Sequence, residues 1–210
     1  MKKAATFISR SIGVLFAYLI PLVLFKITTR VFNMMRSGYI SKKFKRCGSN
    51  FSIDYPFYHI GLKHVEVGSN FRSFAGLRLE AIDLHLGCKF NPDVIIGNNV
   101  SINTDCHIAC INKVVIGNNV LMASRIFITD HFHGSIDRQS LTLPPSERKI
   151  QSRGPVIIED NVWIGEGVAI MPGITIGTNC IIGANAVVTK SFPANSVIGG
   201  NPAKIIKTIQ

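Results

Sequence analysis

An aliphatic side chain returns at every sixth position through the C-terminal part of the chain: Ile158, Ile164, Ile170, Ile176, Ile182 and Val188. Gly165, Gly177 and Gly183 directly follow three of them. Two further registers, Ile96, Ile102, Ile108 and then Ile116, Met122, Ile128, are separated by a two-residue slip around Asn112–Lys113. Ile60-Gly61, Val67-Gly68 and Leu86-Gly87 are looser members of the pattern. A period of six fits neither the 3.6-residue turn of an α-helix nor the simple alternation of a strand. It predicts an all-β triangular solenoid, a parallel β-helix in which each hexapeptide makes one side and its turn. The aliphatic residue points inward and stacks on its equivalents above and below. Gly, Asn, Ser and Thr take the corner conformations. Residues 60–128 and 156–200 supply about six coils, a prism about 30 Å tall at a spacing of about 4.8 Å.

The repeat stops between Thr129 and Pro155. The stretch TDHFHGSIDRQSLTLPPSERKIQSRGP brings charge, prolines and two histidines into an otherwise regular sequence. Long excursions from a rigid scaffold are where functional groups concentrate, so this one argues for chemistry over a purely structural or adhesive solenoid. Its two histidines, His131 and His133, carry imidazoles that can exchange a proton near pH 7.

Charge is unevenly placed. Residues 1–46 hold ten of the 23 basic side chains and none of the 12 acidic ones. The net charge of +11 therefore sits almost wholly there, and residues 47–210 carry 13 basic against 12 acidic. That body offers no electrostatic footprint for nucleic acid. The basic segment also holds an apolar run, residues 11–25, shorter than the roughly 20 residues that span a bilayer. Pro21 kinks any helix through it. Lys26, Arg30 and Arg36 follow the run where a secretion signal would have a small-residue cleavage site. Residues 1–46 are thus expected to form one or two helices lying on, or dipping into, the inner face of a membrane. A helix packed against a neighbouring subunit is the alternative. The five cysteines, odd in number and scattered, read as small buried apolar residues in a reducing cytosol. Two units are expected, the basic segment 1–46 and the β-helix 47–210 with its excursion at 129–155.

The periodic positions, the segment Thr129-Asp130-His131-Phe132-His133-Gly134, and the tail segments around Trp163 and Ala184 together resemble the hexapeptide-repeat acyltransferases. The resemblance covers about residues 60–207. Within that family it points to the sugar and polysaccharide O-acetyltransferases of bacterial capsule, exopolysaccharide or O-antigen synthesis. It implies left-handed coils, although the usual rule for parallel crossovers favours the other hand. It also implies a homotrimer with sites between subunits, acetyl-CoA as acyl donor, no required metal, and a saccharide acceptor, free or lipid-linked. The cytoplasmic face of the inner membrane, or the cytoplasm, is the implied location.

Residue by residue, His131 matches the family's catalytic base, with His133 as fallback beside the acceptor. Asn103, in Ser101-Ile102-Asn103-Thr104-Asp105, matches the acceptor-binding asparagine, with Asp105 a weaker companion. A coil-corner role for Asn103 is the alternative. Trp163, Ala184, Thr189, Lys190, Lys204 and Lys207 match the coenzyme-binding positions. Relatives often carry arginine at the last two, and lysine keeps the attraction to phosphate without the bidentate fork. The base needs an orienting partner. Asp130 and Glu147 both qualify, and each can instead pair with Arg138 or Arg148. Two rival functions remain. One is a zinc-dependent, carbonic-anhydrase-like protein using His107, His131 and His133, which leaves Trp163, Lys190 and Lys204 idle. The other is a non-catalytic, membrane-tethered scaffold.

Overall fold

Short strands rich in β-branched residues, broken by corner residues, cannot extend far before turning. The computed structural model describes residues 2–19, 21–135 and 137–209. Met1, Ile20 of the apolar run, Ile136 of the excursion and Gln210 lie outside the described residues. From Arg46 onward the chain visits three parallel sheets, A, B and C, in strict rotation. Coil 1 uses Arg46–Cys47, Ser52–Ile53 and Tyr58–Ile60. Coil 2 uses Val65–Val67, Arg72–Ser73 and Arg78–Ala81, and coil 3 uses Asp93–Ile96, Ser101–Ile102 and His107–Cys110. Coil 4 comprises Lys113–Ile116, Leu121–Met122 and Phe127–Thr129. Coil 5 comprises Val156–Ile158, Trp163–Ile164 and Ala169–Ile170, and coil 6 Thr175–Ile176, Ile181–Ile182 and Val187–Val188. Ser196–Gly199 then adds to sheet B, and Lys204–Thr208 folds back antiparallel against it.

The six-residue pattern is the core. In sheet A, Val67, Ile96, Ile116, Ile158 and Ile176 stack in one buried column. Ile102, Met122, Ile164, Ile182 and Ile198 do so in sheet B. Leu79, Ile108, Ile128, Ile170 and Val188 do so in sheet C. Each such side chain contributes about 1.5–3 kcal/mol by leaving water.

The prism begins earlier than residue 60. Coil 1 lacks the aliphatic signature because His59, not Ile60, stands in register with Leu79. Ile60 is exposed. Leu86-Gly87 is not a repeat member either. Both residues have positive φ (45° and 74°) and form the tip of a hairpin between Leu84–His85 and Cys88–Lys89. Two adjacent left-handed residues match the turn that joins twisted antiparallel strands.

The three edges of the prism differ. Along the A–B edge, Asn50, Asn70, Asn99, Asn119, Asn161, Asn179 and Asn195 are all left-handed, with φ between 53° and 59°. Their amides form an unbroken chain of hydrogen bonds of 2.8–3.2 Å from coil to coil. Asparagine tolerates this conformation better than any other residue with a side chain. The C–A edge absorbs the irregularities. Along sheet A, paired residues are spaced 20 (Arg46 to Glu66), 29 (Glu66 to Ile95), 20 (Ile95 to Val115), 42 (Val115 to Ile157) and 18 (Ile157 to Thr175) residues apart. Every residue beyond 18 is inserted where the chain leaves sheet C for sheet A.

The N-terminal segment forms α1 (Lys2–Leu19) and α2 (Leu22–Ser41), set about 110° apart at a break holding Pro21. α2 caps coil 1. Ser37 Oγ accepts from Ile53 N–H at 2.9 Å and donates to Ile53 C=O at 3.1 Å, and Asn33 Nδ2 donates to Asp54 at 3.1 Å. No single described helix is long and apolar enough to cross a membrane.

Candidate active site

The C–A edge gathers the reactive groups. Thr129 ends the sheet C strand of coil 4, and the chain then leaves as His131–His133, which pairs antiparallel with Ile150–Ser152 on the way back. Asp130, at the departure point, is fully buried and His131 is 8% exposed. His131 Nδ1 lies 2.9 Å from Asp130 Oδ1. A carboxylate only accepts, so Nδ1 carries a proton, and in the neutral ring the lone pair is then on Nε2. Thr129 Oγ1 braces the same turn, accepting from His131 N–H at 3.3 Å and donating to its C=O at 3.2 Å.

The two-residue slip explains how a buried carboxylate can sit there. Its extra residues bulge the coil 3 corner so that three successive N–H groups converge on Asp130. Ile111 donates to Oδ1 at 3.0 Å, and Asn112 and Lys113 donate to Oδ2 at 2.7 and 2.8 Å. Cys110 Sγ adds a fourth donor at 3.3 Å. Such a nest of backbone N–H groups holds an anion without a fixed cation. Burial pushes the Asp130 carboxyl up, but the hydrogen bonds from His131, Ile111, Asn112 and Cys110 outweigh it and hold it below its ordinary value. Burial first, and the Asp130 charge second, push the Cys110 thiol up, so it stays protonated as a donor.

Of the two candidate orienting partners, the structure selects Asp130. Glu147 is exposed in a 3-10 turn at Pro145–Glu147 and makes no ion pair with Arg138 or Arg148 among the described residues. His133 is exposed and packs edge-on to His85, ring centres 5.8 Å apart. His85 belongs to the coil 2 hairpin, and its Nδ1 is buried without a hydrogen-bond partner among the described residues. Nothing in the sequence marked it. The three histidines of the zinc reading have separate surroundings: His107 Nε2 bonds Glu80 at 2.9 Å, His131 bonds Asp130, and His133 faces His85. Among the described residues no group of three potential ligands stands together.

The remaining candidates lie elsewhere on the prism. Asn103 is half-buried at the B–C edge; its backbone N–H donates to Met122 C=O at 3.0 Å, and its side-chain amide has no hydrogen-bond partner among the described residues. Asp105 is the left-handed corner residue there, with φ 58°. In register above Asn103 come Ala123, Gly165 and Gly183, a column of small residues along that edge. Trp163, half-exposed, stands on the outer face of sheet B between Leu121 and Ile181, and Ala184 is exposed at the B–C corner. Lys204 and Lys207 are exposed on the closing strand. Thr189 and Lys190 are exposed at the C–A edge, on the side of His131. One chain thus places Asn103, Asp105 and Ala184 on one edge and His131, Thr189 and Lys190 on another, with sheet C between them, while Trp163, Lys204 and Lys207 lie on sheet B and its closing strand.

The family profile for bacterial transferase hexapeptide (six repeats) matches residues 155–190. WbbJ of Escherichia coli K12, named as a lipopolysaccharide biosynthesis O-acetyl transferase, is 43% identical over 160 residues, covering 74% of this chain and 77% of its own. This chain belongs to the hexapeptide-repeat acetyltransferases. The galactoside O-acetyltransferase of Escherichia coli K12 is 35% identical to this acetyltransferase, over 58% of this chain and 57% of its own. A maltose O-acetyltransferase from Clostridium difficile superposes with TM-score 0.57 at 32% identity, over 88% of this chain and 84% of that one. AntD, an N-acyltransferase from Bacillus cereus solved with dTDP-4-amino-4,6-dideoxyglucose and coenzyme A, superposes with TM-score 0.67 at 19% identity, over 83% and 89%. That likeness is one of fold.

Proposed function

We propose that this acetyltransferase moves an acetyl group from acetyl-CoA to a hydroxyl of a saccharide, free or lipid-linked, in the making of a bacterial surface polysaccharide. The buried pair Asp130–His131 is the observation that carries the proposal. His131 Nε2 takes the proton of the acceptor hydroxyl as its oxygen attacks the thioester carbonyl. The tetrahedral adduct then expels the coenzyme thiolate with cleavage of the C–S bond. The imidazolium returns its proton to that sulfur, leaving an O-acetyl sugar and free coenzyme A. Asp130 keeps the imidazole in the Nδ1–H form and stabilises the imidazolium, and its own charge is held by the backbone nest. A carboxylate that must stay ionised in a dry site needs such donors.

The division of candidates between two edges supports a homotrimer of left-handed prisms. In that assembly the B–C edge of one subunit, with Asn103 and Ala184 and with Trp163 on the adjoining face of sheet B, faces the C–A edge of the next, with His131, Thr189 and Lys190. Asn103 and Asp105 hold the acceptor beside His133, and its unengaged amide suits a sugar hydroxyl. The column Ala123, Gly165 and Gly183 leaves room for the pantetheine arm alongside Trp163. Lys190, Lys204 and Lys207 attract the coenzyme phosphates.

Thiol release from acetyl-CoA, measured over a panel of saccharide acceptors, tests the proposal. Acceptor-dependent release should fall by roughly a hundredfold or more in His131→Ala, with coenzyme binding retained. Unchanged turnover in that variant sinks the assignment of the base. Light scattering should give three times the 23.0 kDa chain mass, and a fully active monomer would exclude the shared site.

A further inference from the structure

The two N-terminal helices carry a surface that the prism does not use. α2 turns only a narrow line toward coil 1: Asn33, Ser37 and Ile40, spaced four and three apart, are its inward positions. That spacing is one stripe of a helix; beside it Phe25, Lys26, Arg30 and Met34 line an open cleft toward the first coils, and the remaining faces of α2 point outward. Phe7, Leu15, Phe16, Leu22, Phe25 and Phe32 are each 53–72% exposed. So many large apolar side chains left exposed on one segment mark it as a surface that something covers.

Charge selects the occupant. All ten titratable side chains of the lysine, arginine, aspartate and glutamate types in residues 1–46 are basic. If a second copy covered these helices, it would bring ten more cations against them with no acidic group of the same segment between. An anionic lipid surface supplies both the apolar cover and the countercharge. The bend of about 110° between the two helices suits a pair lying in the interface plane. Between α2 and the first coils runs a cleft of about 840 Å³ lined by Phe25, Lys26, Arg30, Met34, Phe51 and Arg72 among others. The cleft also holds one carboxylate, Asp54, which accepts from Asn33; its three cations outnumber it, and beside three apolar side chains they match a phosphate headgroup and the start of its acyl chains.

We infer that α1 and α2 form a docking plate for the anionic phospholipid surface of a membrane, with the cleft beneath α2 receiving its phosphate headgroups. The plate is fixed to coil 1 through Ser37 and Asn33. His131 leaves coil 4, three coil rises or about 14 Å further along the prism. Resting on the function proposed above, this sets the base at the height of a sugar carried on a lipid phosphate at the cytoplasmic leaflet.

The test is co-sedimentation of the full-length protein with phosphatidylcholine vesicles, with and without phosphatidylglycerol. Binding should require the anionic lipid and weaken as salt rises above about 0.1 M. The triple variant Arg10→Glu, Lys26→Glu, Arg30→Glu should bind at least about a hundredfold more weakly. Phe16→Ser with Phe25→Ser should also weaken binding and leave the thermal unfolding of the prism unchanged. Equal binding to neutral vesicles, or binding indifferent to the charge reversals, overturns the inference. So does an absence of vesicle binding, including the case where the helices drive assembly beyond the trimer that Phe16→Ser with Phe25→Ser dissolves. Binding is read without turnover, so its failure and the failure of the acetyltransferase reading are separate outcomes.

Discussion

The A–B and C–A edges are corners of the same coils, and they solve the corner in opposite ways. At the A–B edge one residue type takes one conformation seven times, and each amide bonds the next. The ladder crosses coils of very different length without a break. At the C–A edge hardly any two corners are alike: a 3-10 turn at Leu62–His64, the hairpin at 84–89, the bulge at 111–113 and the excursion from Asp130. The regular edge therefore holds the prism, and the irregular edge holds the chemistry. A nest of three N–H groups needs residues released from the interstrand ladder, and a strict hexapeptide corner has none to release.

Removing the Asp130 carboxylate should break this division most severely. Asp130→Ala leaves the buried N–H of Ile111, the part-buried N–H groups of Asn112 and Lys113, and the buried histidine without their acceptor, with an expected cost of about 3–5 kcal/mol and a loss of turnover of about a hundredfold or more. Denaturant unfolding and thiol release measure the two effects. In the ladder the expectation is reversed. Asn119→Ala loses two side-chain hydrogen bonds and strains a left-handed residue, costing about 2–3 kcal/mol of stability with turnover changed by less than about twofold. A large loss of turnover there would erase the distinction between the edges.

Cys110→Ala sharpens the comparison within the C–A edge. It removes one weak donor to Asp130, and turnover should fall by roughly fivefold, corresponding to about 1 kcal/mol. The smallest effect concerns Asp83, where the same edge is laced by Lys63 at 2.8 Å and His64 at 3.1 Å. Hydrogen bonds from Lys63 and His64 lower its pKa to about 2. A carboxylate with a depressed folded-state pKa stabilises the fold above its ordinary value near 4, and that stability is lost as pH falls toward about 2. The gap in urea stability between the native chain and Asp83→Asn should therefore be open at pH 7 and closed near pH 2. A gap that persists unchanged at acid pH would contradict the assignment.

The prism was legible because each hexapeptide is a local unit: Ile158 through Val188 needed no knowledge of distant residues to be placed inward. Coil 1 was hidden because the position in register with Leu79 is His59, a polar and exposed residue where the repeat has a buried aliphatic one. Leu86-Gly87 imitated the repeat because a hairpin tip and a coil corner both use Gly. The histidine motif and the slip were each visible, but not their connection. Asp130 reaches the N–H groups of residues 111–113 only after a full coil has closed, and Glu147 looked equally available until then. His85 was beyond reach for the same reason, since it meets His133 across two insertions.

The central claim is that the bulged corner fixes Asp130, and Asp130 fixes the proton of His131 on Nδ1. Nitrogen NMR of the histidine-labelled protein at neutral pH reads that tautomer directly. The account predicts that His131 carries its proton on Nδ1 with Nε2 unprotonated, and that Asp130→Asn abolishes this preference. A His131 protonated on Nε2 in the native protein would contradict it.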